Sequence, residues 1–469
     1  MRGSRRASVV VCLGLVGLCT AVRAAEPEPA APSRDDVFDT APEPAAPSRD
    51  DVFDTAPKPI VIREDPLAIG GLLYLRLATV LSDRGAAGDQ RISMPNLFDM
   101  YLDARPEDRV RGFVSGRLTY DPTIASGDKG MLGQDVNALH IRLDQLWLKT
   151  DIARAVFLTI GQERIKWGAT RLWNPTDFVN ASRKDPLALF DERTGVPMLK
   201  VHVPIETWNL YGILFFGGFD HLDEVAGAVR LEMAFPATEI GLSAVVGKGR
   251  KTGVGLDLST AIGPLDLTAE LSVTDETDTP EYAGTFSFGA DNTFDPATAE
   301  LPTSKARGAW VPRVSAGLQY AFKPNDEDIM TLGIEYFWNP LGVDDPSLYP
   351  WLAIQGQLQP FYAGQHYLGA VFMVPQPGCW NDVTFTLSQL ANLSDLSFVT
   401  RLDVLAKIHT RLTLEGYVQG HYGHRGGEFR FAMHVPDLPA IPGVLEEPMA
   451  AFDIAAPVLT LGVNLRISL

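Results

Sequence analysis

The feature that most constrains this chain is a two-residue alternation of apolar and polar side chains that recurs between Leu72 and Leu469. In the clearest stretch, residues 265–274, leucine, alanine and valine alternate with aspartate, threonine, glutamate and serine. Such a segment, with one apolar and one polar face, predicts a β-strand. Similar alternation recurs in residues 98–102, 229–235, 314–322, 330–336 and 412–418. No apolar run approaches the ~20 residues of a membrane helix, so the chain is predicted to be all-β.

The lengths of the connections distinguish a soluble β-sandwich from a membrane barrel, because both show alternation. Tight turns fall at every second connection: ARPED, TDIAR, PIET, PATE, IGPL, KPNDED, PQPGCWND and KIHTR. The intervening connections are mostly longer, and run over residues 81–93, 121–138, 168–195, 217–224, 247–252, 275–307, 339–365, 392–396 and 423–456. We therefore expect a transmembrane antiparallel β-barrel of about 18 strands (roughly 16–18), with short periplasmic turns and long extracellular loops.

The N-terminal sequence predicts export. Three arginines among the first six residues precede an apolar run from Val9 to Ala21, and AVRAA offers small residues for cleavage after Ala24. Residues 1–24 are thus predicted to be a signal peptide. Their removal takes away four arginines and changes the net charge from −18 to about −22. An exported chain this acidic is a poor candidate for nucleic-acid binding.

Residues 25–65 are predicted to be a disordered periplasmic tether that leads into a barrel of residues 66–469. The tether contains a tandem copy, AAPSRDDVFDTAPEP followed by AAPSRDDVFDTAPKP. Proline, alanine and acidic residues dominate it, so it cannot bury enough apolar surface to fold alone. The repeat is either a duplicated spacer or a short motif that docks a periplasmic partner.

The C-terminal stretch LTLGVNLRISL carries one continuous apolar face that ends at Leu469. It resembles the terminal-strand signal of outer-membrane barrels, although that family usually ends in an aromatic residue. The resemblance implies an outer-membrane location and contact with lipid and lipopolysaccharide. It also implies that the barrel assembly machinery inserts the protein during biogenesis. The barrel could also form a homo-oligomer.

If the apolar set faces lipid, the alternate set lines the lumen. The predicted lumen-lining residues are charged residues of both signs: Arg111, Arg117, Arg142, Asp144, Lys200, Arg230, Glu270, Glu335 and Glu415. About 18 strands enclose more space than side chains can fill, so a polar channel is expected. Opposed charges could set a transverse field that sorts solutes, or they could pair with one another and stiffen the wall.

The stretch GQERIKWGATRLWNPTDF, Gly161 to Phe178, breaks the strand pattern. Gln162, Arg164 and Lys166 occupy the alternate positions that face lipid in the preceding strand. A charged side chain at such a position near mid-bilayer would cost a few kcal/mol. The chain must therefore rise or bend inward near Gln162, and residues 168–195 are long enough to fold into the barrel mouth as a constriction loop. The predicted constriction or substrate-contact residues are Gln162, Glu163, Arg164, Lys166, Trp167, Arg171, Trp173 and Asp177, with Arg164, Lys166 and Arg171 at the narrowest point.

This stretch resembles a segment of porin-like outer-membrane barrels related to alginate-export-type and uncharacterised porin families. The shared pattern is Gly-Arg-Gln, then Trp-Gly, then Asn-Pro-x-Asp, and the matching residues here are Gly161, Gln162, Trp167, Gly168, Asn174, Pro175 and Asp177. The family places an arginine before the glutamine, whereas Glu163 and Arg164 follow it here. The motif residues could contact substrate, or they could form a rigid turn with Asp177 as a cap.

Together these features predict a porin or channel for diffusion of small hydrophilic solutes, including anions. A non-conducting receptor or assembly barrel is the alternative if the loop closes the lumen. An outer-membrane hydrolase would need a nucleophile beside a histidine; His140 with Asp144 is the nearest pair, and no Gly-x-Ser-x-Gly occurs. The protein is therefore predicted not to be an enzyme and not to need a cofactor. No metal is expected, because His421, His424 and His434 lack a diagnostic spacing.

Overall fold

The computed structural model describes residues 66–83, 91–128, 136–180, 182–188, 192–217, 225–289, 298–308, 310–325, 328–437, 448 and 451–469. The predicted signal peptide and tether lie outside these residues. The described part of the chain is a closed antiparallel β-barrel of 18 strands, as predicted from the alternation and loop lengths.

The strands follow one another around the barrel in chain order, apart from short accessory strands β2, β13, β14, β21 and β22. Their bounds are β1 Leu67–Ser82, β2 Arg91–Ser93, β3 Asn96–Glu107, β4 Val110–Tyr120, β5 Leu139–Ile152, β6 Val156–Glu163, β7 Val196–Ile205, β8 Trp208–Phe216, β9 Val225–Phe235, β10 Thr238–Gly247, β11 Gly253–Ile262, β12 Leu265–Asp275, β13 Pro280–Ala283, β14 Thr303–Ala306, β15 Trp310–Phe322, β16 Met330–Trp338, β17 His366–Pro375, β18 Val383–Asn392, β19 Ser397–His409, β20 Leu412–Gly423, β21 Met433–Val435, β22 Phe452–Ile454 and β23 Pro457–Ser468.

The barrel closes where the first strand pairs with the last. One edge of β1 pairs with β3, and the other pairs with β23 in a register that sets Leu72 opposite Ser468 and Tyr74 opposite Arg466. In the closed sheet every barrel strand is hydrogen-bonded along both edges. A strand surrounded by lipid requires this, because lipid offers its backbone no hydrogen-bond partner.

The two rims differ as predicted. All eight tight turns lie on one rim, for example between β7 and β8 and between β11 and β12. The opposite rim carries the longer connections, which include the hairpins β13–β14 and β21–β22 and the short helix α1, Tyr349–Ile354.

No helix among the described residues is both long enough and apolar enough to cross a membrane.

Alternation sorts the strand side chains between the two faces of the wall. On β12, Leu271 is 40% exposed on the outer face, whereas Glu270, Ser272 and Thr274 are buried on the inner face. Large exposed apolar side chains recur on the outer face of most strands. An apolar outer band and a polar interior are the pattern of a transmembrane barrel.

A β-bulge on β5 interrupts this alternation. Ser115 pairs with Gln145 and Gly116 pairs with Leu143, so Asp144 is the extra residue. Both Asp144 and Gln145 are buried inside the barrel. Asp144 was predicted to line the lumen. The bulge itself was not predicted, and it shifts the outward apolar set from Leu139, Ile141 and Leu143 to Leu146 and Leu148.

Candidate functional site

The candidate site is built around the inserted loop, residues 164–195, of which residues 181 and 189–191 lie outside the described part of the chain. The inserted loop begins where β6 ends at Glu163, four residues earlier than the sequence indicated, and ends at β7. It folds into the barrel, because its backbone bonds to inward-facing side chains of β12 and β16. Trp167, Trp173 and Val179 of the inserted loop are buried.

Glu335 on β16 holds the middle of the inserted loop. Its Oε2 accepts the backbone N–H groups of Arg171 (2.9 Å) and Leu172 (3.0 Å), and its Oε1 accepts that of Trp173 at 2.7 Å. Ser315 on β15 donates its hydroxyl to the same carboxylate at 3.1 Å. Three consecutive amides are thus bound by one carboxylate, in charge-assisted hydrogen bonds of the stronger kind.

Glu270 on β12 holds both ends of the turn that contains these three amides. Its Oε1 accepts the backbone N–H of Thr170 at 2.7 Å and the hydroxyl of Thr170 at 2.5 Å, and its Oε2 accepts the same two groups of Thr176 at 3.1 and 2.7 Å. Asn174 donates its amide to Oε1 at 3.1 Å. Gly168 fits beside this carboxylate with φ +100°, and a Cβ there would lie 2.5 Å from Glu270 Oε1. The glycine of the Trp-Gly pair is therefore required locally.

The two tryptophans of the inserted loop pack against opposite parts of the inner wall. Trp173 stacks on Phe337, with ring centroids 5.7 Å apart, and donates its indole N–H to the carbonyl of Phe361 at 3.1 Å. Trp167 packs in a separate cluster with Met198 and Phe215. Two apolar anchors thus reinforce the two carboxylate anchors.

Asp177, the last residue of the Asn-Pro-x-Asp pattern, binds groups of the inserted loop itself. It accepts hydrogen bonds from the Asn180 amide and pairs with Arg193 at 2.8 Å. Burial raises the pKa of the Asp177 carboxyl, an effect that Arg193 and Asn180 oppose. Pro175 is buried beside it.

The first residues of the predicted constriction lie where β6 joins the inserted loop. Gln162 donates to the carbonyls of Leu143 and Asp144, both at 3.1 Å. Glu163 pairs with Lys200 of β7 at 2.5 Å, and Arg164 turns inward to pair with Asp144. The inward bend follows Gly161, which has a φ of +123° and pairs with Trp147 of β5. Lys166 and Arg171, farther along, are exposed.

Most wall charges that were predicted to line the lumen lie next to a charge of opposite sign. Arg117 pairs with Asp99 at 2.7 Å and lies 3.4 Å from Asp144. Arg230 pairs with Asp257 at 2.6 Å. The remaining contacts are Arg111 with Asp103 at 2.8 Å, Arg466 with Glu415 at 3.2 Å, and Arg142 with the carbonyl of Glu192 at 2.9 Å. Asp144, which the sequence analysis considered as a hydrolase partner of His140, pairs with Arg164 and lies near Arg117, and His140 is exposed.

A basic cavity of about 1200 Å³ lies on the long-loop side of the inserted loop. Its titratable lining is mostly cationic, with eight basic side chains: Arg183, Lys184, Arg193, Lys248, Arg250, Lys251, Arg307 and Arg313. Three carboxylates also line it: Asp177, Glu276 and Asp278. A mainly cationic enclosure attracts anions and repels cations.

The sequence did not identify the lining of the basic cavity or the anchoring role of Glu270 and Glu335. The cavity residues come from loops and strand ends separated by up to 189 positions, from Asn174 to Ala363. The one long-rim connection with a clear basic cluster, Lys248, Arg250 and Lys251, supplies only three of the eight cations.

No family model and no curated protein matches this sequence. Among solved structures, OccK9 (OpdG) of Pseudomonas aeruginosa has a TM-score of 0.50 at 10% identity, over 86% of this chain and 98% of that one. OccK2 (OpdF) of the same organism, in complex with glucuronate, has a TM-score of 0.48 at 12% identity, over 86% and 98%. OpdK with vanillate has a TM-score of 0.47 at 9% identity, with the same coverage. At such identities the likeness concerns the fold, and this chain has the fold of the outer-membrane porins.

Proposed function

We propose that this protein is an outer-membrane porin, without enzymatic activity, through which small hydrophilic solutes diffuse, with a preference for anions. The observation that carries the proposal is the basic cavity within a closed barrel, with eight basic and three acidic side chains around about 1200 Å³. A cavity of this volume admits small solutes together with water. The excess of guanidinium and ammonium groups raises the local concentration of anions.

The inserted loop is proposed to set the narrowest part of the path. The carboxylates of Glu270 and Glu335 fix its backbone, so its side chains occupy defined positions in the lumen. Arg164, Lys166 and Arg171 are proposed to line that narrowest part. Of the three, Lys166 and Arg171 are exposed and available to passing ions.

The cellular setting follows from the same architecture. The apolar outer face of the barrel fits the hydrocarbon of an outer membrane, with lipopolysaccharide at the long-loop rim. We propose that residues 1–24 are cleaved on export, that residues 25–65 tether the barrel on the periplasmic side, and that the barrel assembly machinery inserts it. Self-association of barrels is proposed as a further feature of the membrane form.

A non-conducting receptor is the second candidate, and the packing of the inserted loop favours it. Trp173 is fully buried against Phe337 and Tyr367, so part of the lumen is filled by side chains. A lumen closed by such packing would bind a ligand at the rim without passing it.

Solute flux into proteoliposomes distinguishes the two functions. We expect swelling in solutions of small sugars, falling as the sugar grows, and faster entry of small organic anions than of neutral solutes of the same size. Empty liposomes and liposomes with heat-denatured protein serve as controls. A folded barrel that admits neither solute class would favour the receptor.

A further inference from the structure

Three arginines of the basic cavity differ in their partners from wall arginines such as Arg117 and Arg230. Arg183 lies in the inserted loop, Arg307 follows β14, and Arg313 lies on β15. Within the described part of the chain, no carboxylate lies within ion-pairing distance of their guanidinium groups. The Nε groups of Arg307 and Arg313 are buried without a hydrogen-bond partner among the described residues.

The same barrel provides the comparison. Arg117 and Arg230 pair with carboxylates at 2.7 and 2.6 Å, and Arg401 pairs with Asp403 at 2.7 Å. An enclosed charge without a counter-ion is unfavourable, which explains why lumen arginines usually lie beside an acid. Within the described residues the three cavity arginines lie beside no such acid, so an anion from outside the chain would offset their charge.

The acids of the basic cavity are engaged elsewhere. Asp177 pairs with Arg193 at 2.8 Å. Glu276 accepts the hydroxyl of Thr274 at 2.7 Å and lies 3.7 Å from Lys251. Asp278 is exposed. The three guanidinium groups therefore form no ion pair with a described carboxylate, although Arg307 donates to the carbonyl of Pro340 and Glu276 acts on Arg183 and Arg313 from beyond ion-pairing distance. Arg250, also without an ion pair to a described carboxylate, donates to the carbonyls of Phe178 and Val179.

Neighbouring groups fix one of the three side chains. The guanidinium carbon of Arg183 lies 4.7 Å above the centre of the Tyr362 ring, a cation–π contact, and the Tyr362 hydroxyl donates to the carbonyl of Lys184 at 3.0 Å. Burial lowers the pKa of Arg183, though the group stays charged near neutral pH. A fixed planar guanidinium can bind an oxyanion through two parallel N–H bonds.

We propose that Arg183, Arg307 and Arg313 form a saturable oxyanion site in the lumen, which small organic carboxylates occupy as they pass. This inference rests on the proposed porin function for the passage of the solute, but not for its binding. The rings of Phe337 and Tyr362 line the same cavity, so a carboxylate with an apolar body gains contact that inorganic phosphate lacks. A guanidinium fork binds both anions, so the two sources must be separated by measurement.

Calorimetric titration of the refolded barrel in detergent micelles tests the site, with benzoate and inorganic phosphate as separate probes. Saturable binding of benzoate is expected in the wild type, with weaker binding of phosphate. Arg313→Gln and Arg183→Gln should each weaken benzoate binding by about tenfold or more, the effect of losing one charge-assisted fork. Arg411→Gln, on the exposed turn between β19 and β20, removes the same charge away from the cavity and should bind as the wild type does.

The variant Arg313→Lys separates geometry from charge. It keeps the cation but loses the planar fork, so benzoate binding should weaken while the anion preference of bilayer currents is kept. Stronger binding of phosphate than of benzoate would overturn the assignment to organic carboxylates.

The site and the porin proposal fail in different ways. The site is wrong if neither probe gives saturable heat, or if the two glutamine variants bind as the wild type does, even in a barrel that conducts. Saturable, arginine-dependent binding in a barrel that never conducts would support the site and overturn the porin.

Discussion

Glu335 of β16 accepts the backbone N–H of Trp173 at 2.7 Å, although 162 residues separate them in sequence. The same carboxylate binds the two preceding amides, and Glu270 binds both ends of the turn that contains them. A buried carboxylate that accepts several N–H groups has its charge offset by hydrogen bonds rather than by a cation. The wall thereby fixes a loop that would otherwise be free to move across the pore.

Replacing Glu335 with alanine should release the inserted loop without unfolding the barrel. Three backbone N–H groups would lose their acceptor, at about 1–3 kcal/mol for each group that stays buried. We expect larger and noisier single-channel currents and faster proteolysis within residues 164–195, while heat-modifiability on gels is kept.

Glu239→Gln is the matched control, because Glu239 is an exposed carboxylate near the tight-turn rim of β10. It should leave currents and proteolysis unchanged. Wild-type currents in Glu335→Ala would mean that the wall carboxylate does not hold the inserted loop.

Arg117 should be essential for barrel stability. Its side chain is 1% exposed and lies between Asp99 and Asp144. Arg117→Met removes the arginine that binds both Asp99 and Asp144 inside the barrel, so the free energy of unfolding in urea should fall by about 3–5 kcal/mol. The double variant Arg117→Met, Asp99→Asn should recover much of this loss, because Asp144 still pairs with Arg164. A double variant as unstable as the single one would refute this explanation.

Glu428 gives the long-loop rim a pH dependence. Burial raises the pKa of its carboxyl to about 7, and nearby Asp395 adds to the rise. Because the folded pKa lies above the ordinary value, stability from this group is fully present below about pH 4.5 and is lost as the pH rises through 7. The midpoint temperature of heat-modifiability should therefore be higher at pH 5 than at pH 8, by an amount equivalent to at most a few kcal/mol.

Glu428→Gln provides the control for this pH effect, since glutamine is neutral at both values. The carboxylate binds the Tyr367 hydroxyl at 2.6 Å and the Asn392 amide at 2.8 Å, and the glutamine amide has a similar size. The variant should show a smaller difference between pH 5 and pH 8. An equal difference in both proteins would assign the effect to other groups.

Gly161 should tolerate no side chain. Its φ is +123°, and a Cβ would lie 2.1 Å from the carbonyl oxygen of Leu146. Gly161→Ala should thus disturb the pairing of β5 with β6 and lower the yield of folded barrel. Gly212→Ala is the control, because a Cβ on Gly212 meets no atom within 4 Å. Equal yields from the two variants would contradict the close approach at Gly161.

Replacing Arg164, Lys166 and Arg171 together with glutamine should reduce anion preference. Lys166 and Arg171 are exposed, whereas Arg164 pairs with Asp144, so the first two should account for most of the change. Reversal potentials across a salt gradient measure the effect. Unchanged conductance and ion selectivity would show that these residues do not line the narrowest part.

The barrel was predictable because its signals are local. Alternation at period two identifies a strand such as β12, and glycine, proline and asparagine identify its turns. The bulge at Asp144 was not predicted, although a change of apolar parity between Leu143 and Leu146 marks it in the sequence. The strand containing Gly161 was correctly expected to bend or end near Gln162, because charge there conflicts with a lipid-facing position.

The contacts of the site were less predictable because they join residues far apart in sequence. Glu270 and Glu335 were identified as lumen residues from parity alone, but their binding to Thr170 and Trp173 depends on the path of the inserted loop. Arg313 was missed because it fits the alternation of β15, on the lumen-facing positions it shares with Ser315. A single charge on a lumen-facing position carries no sign of whether an acid lies across from it.

Single-channel recording of the refolded protein, without residues 1–24, in a planar bilayer tests the central claim most directly. The account predicts steady openings, a higher permeability to chloride than to potassium, and a reduced preference when Lys166 and Arg171 are neutralised. A folded, heat-modifiable barrel that stays electrically silent under all these conditions would contradict it and would make the receptor the better description.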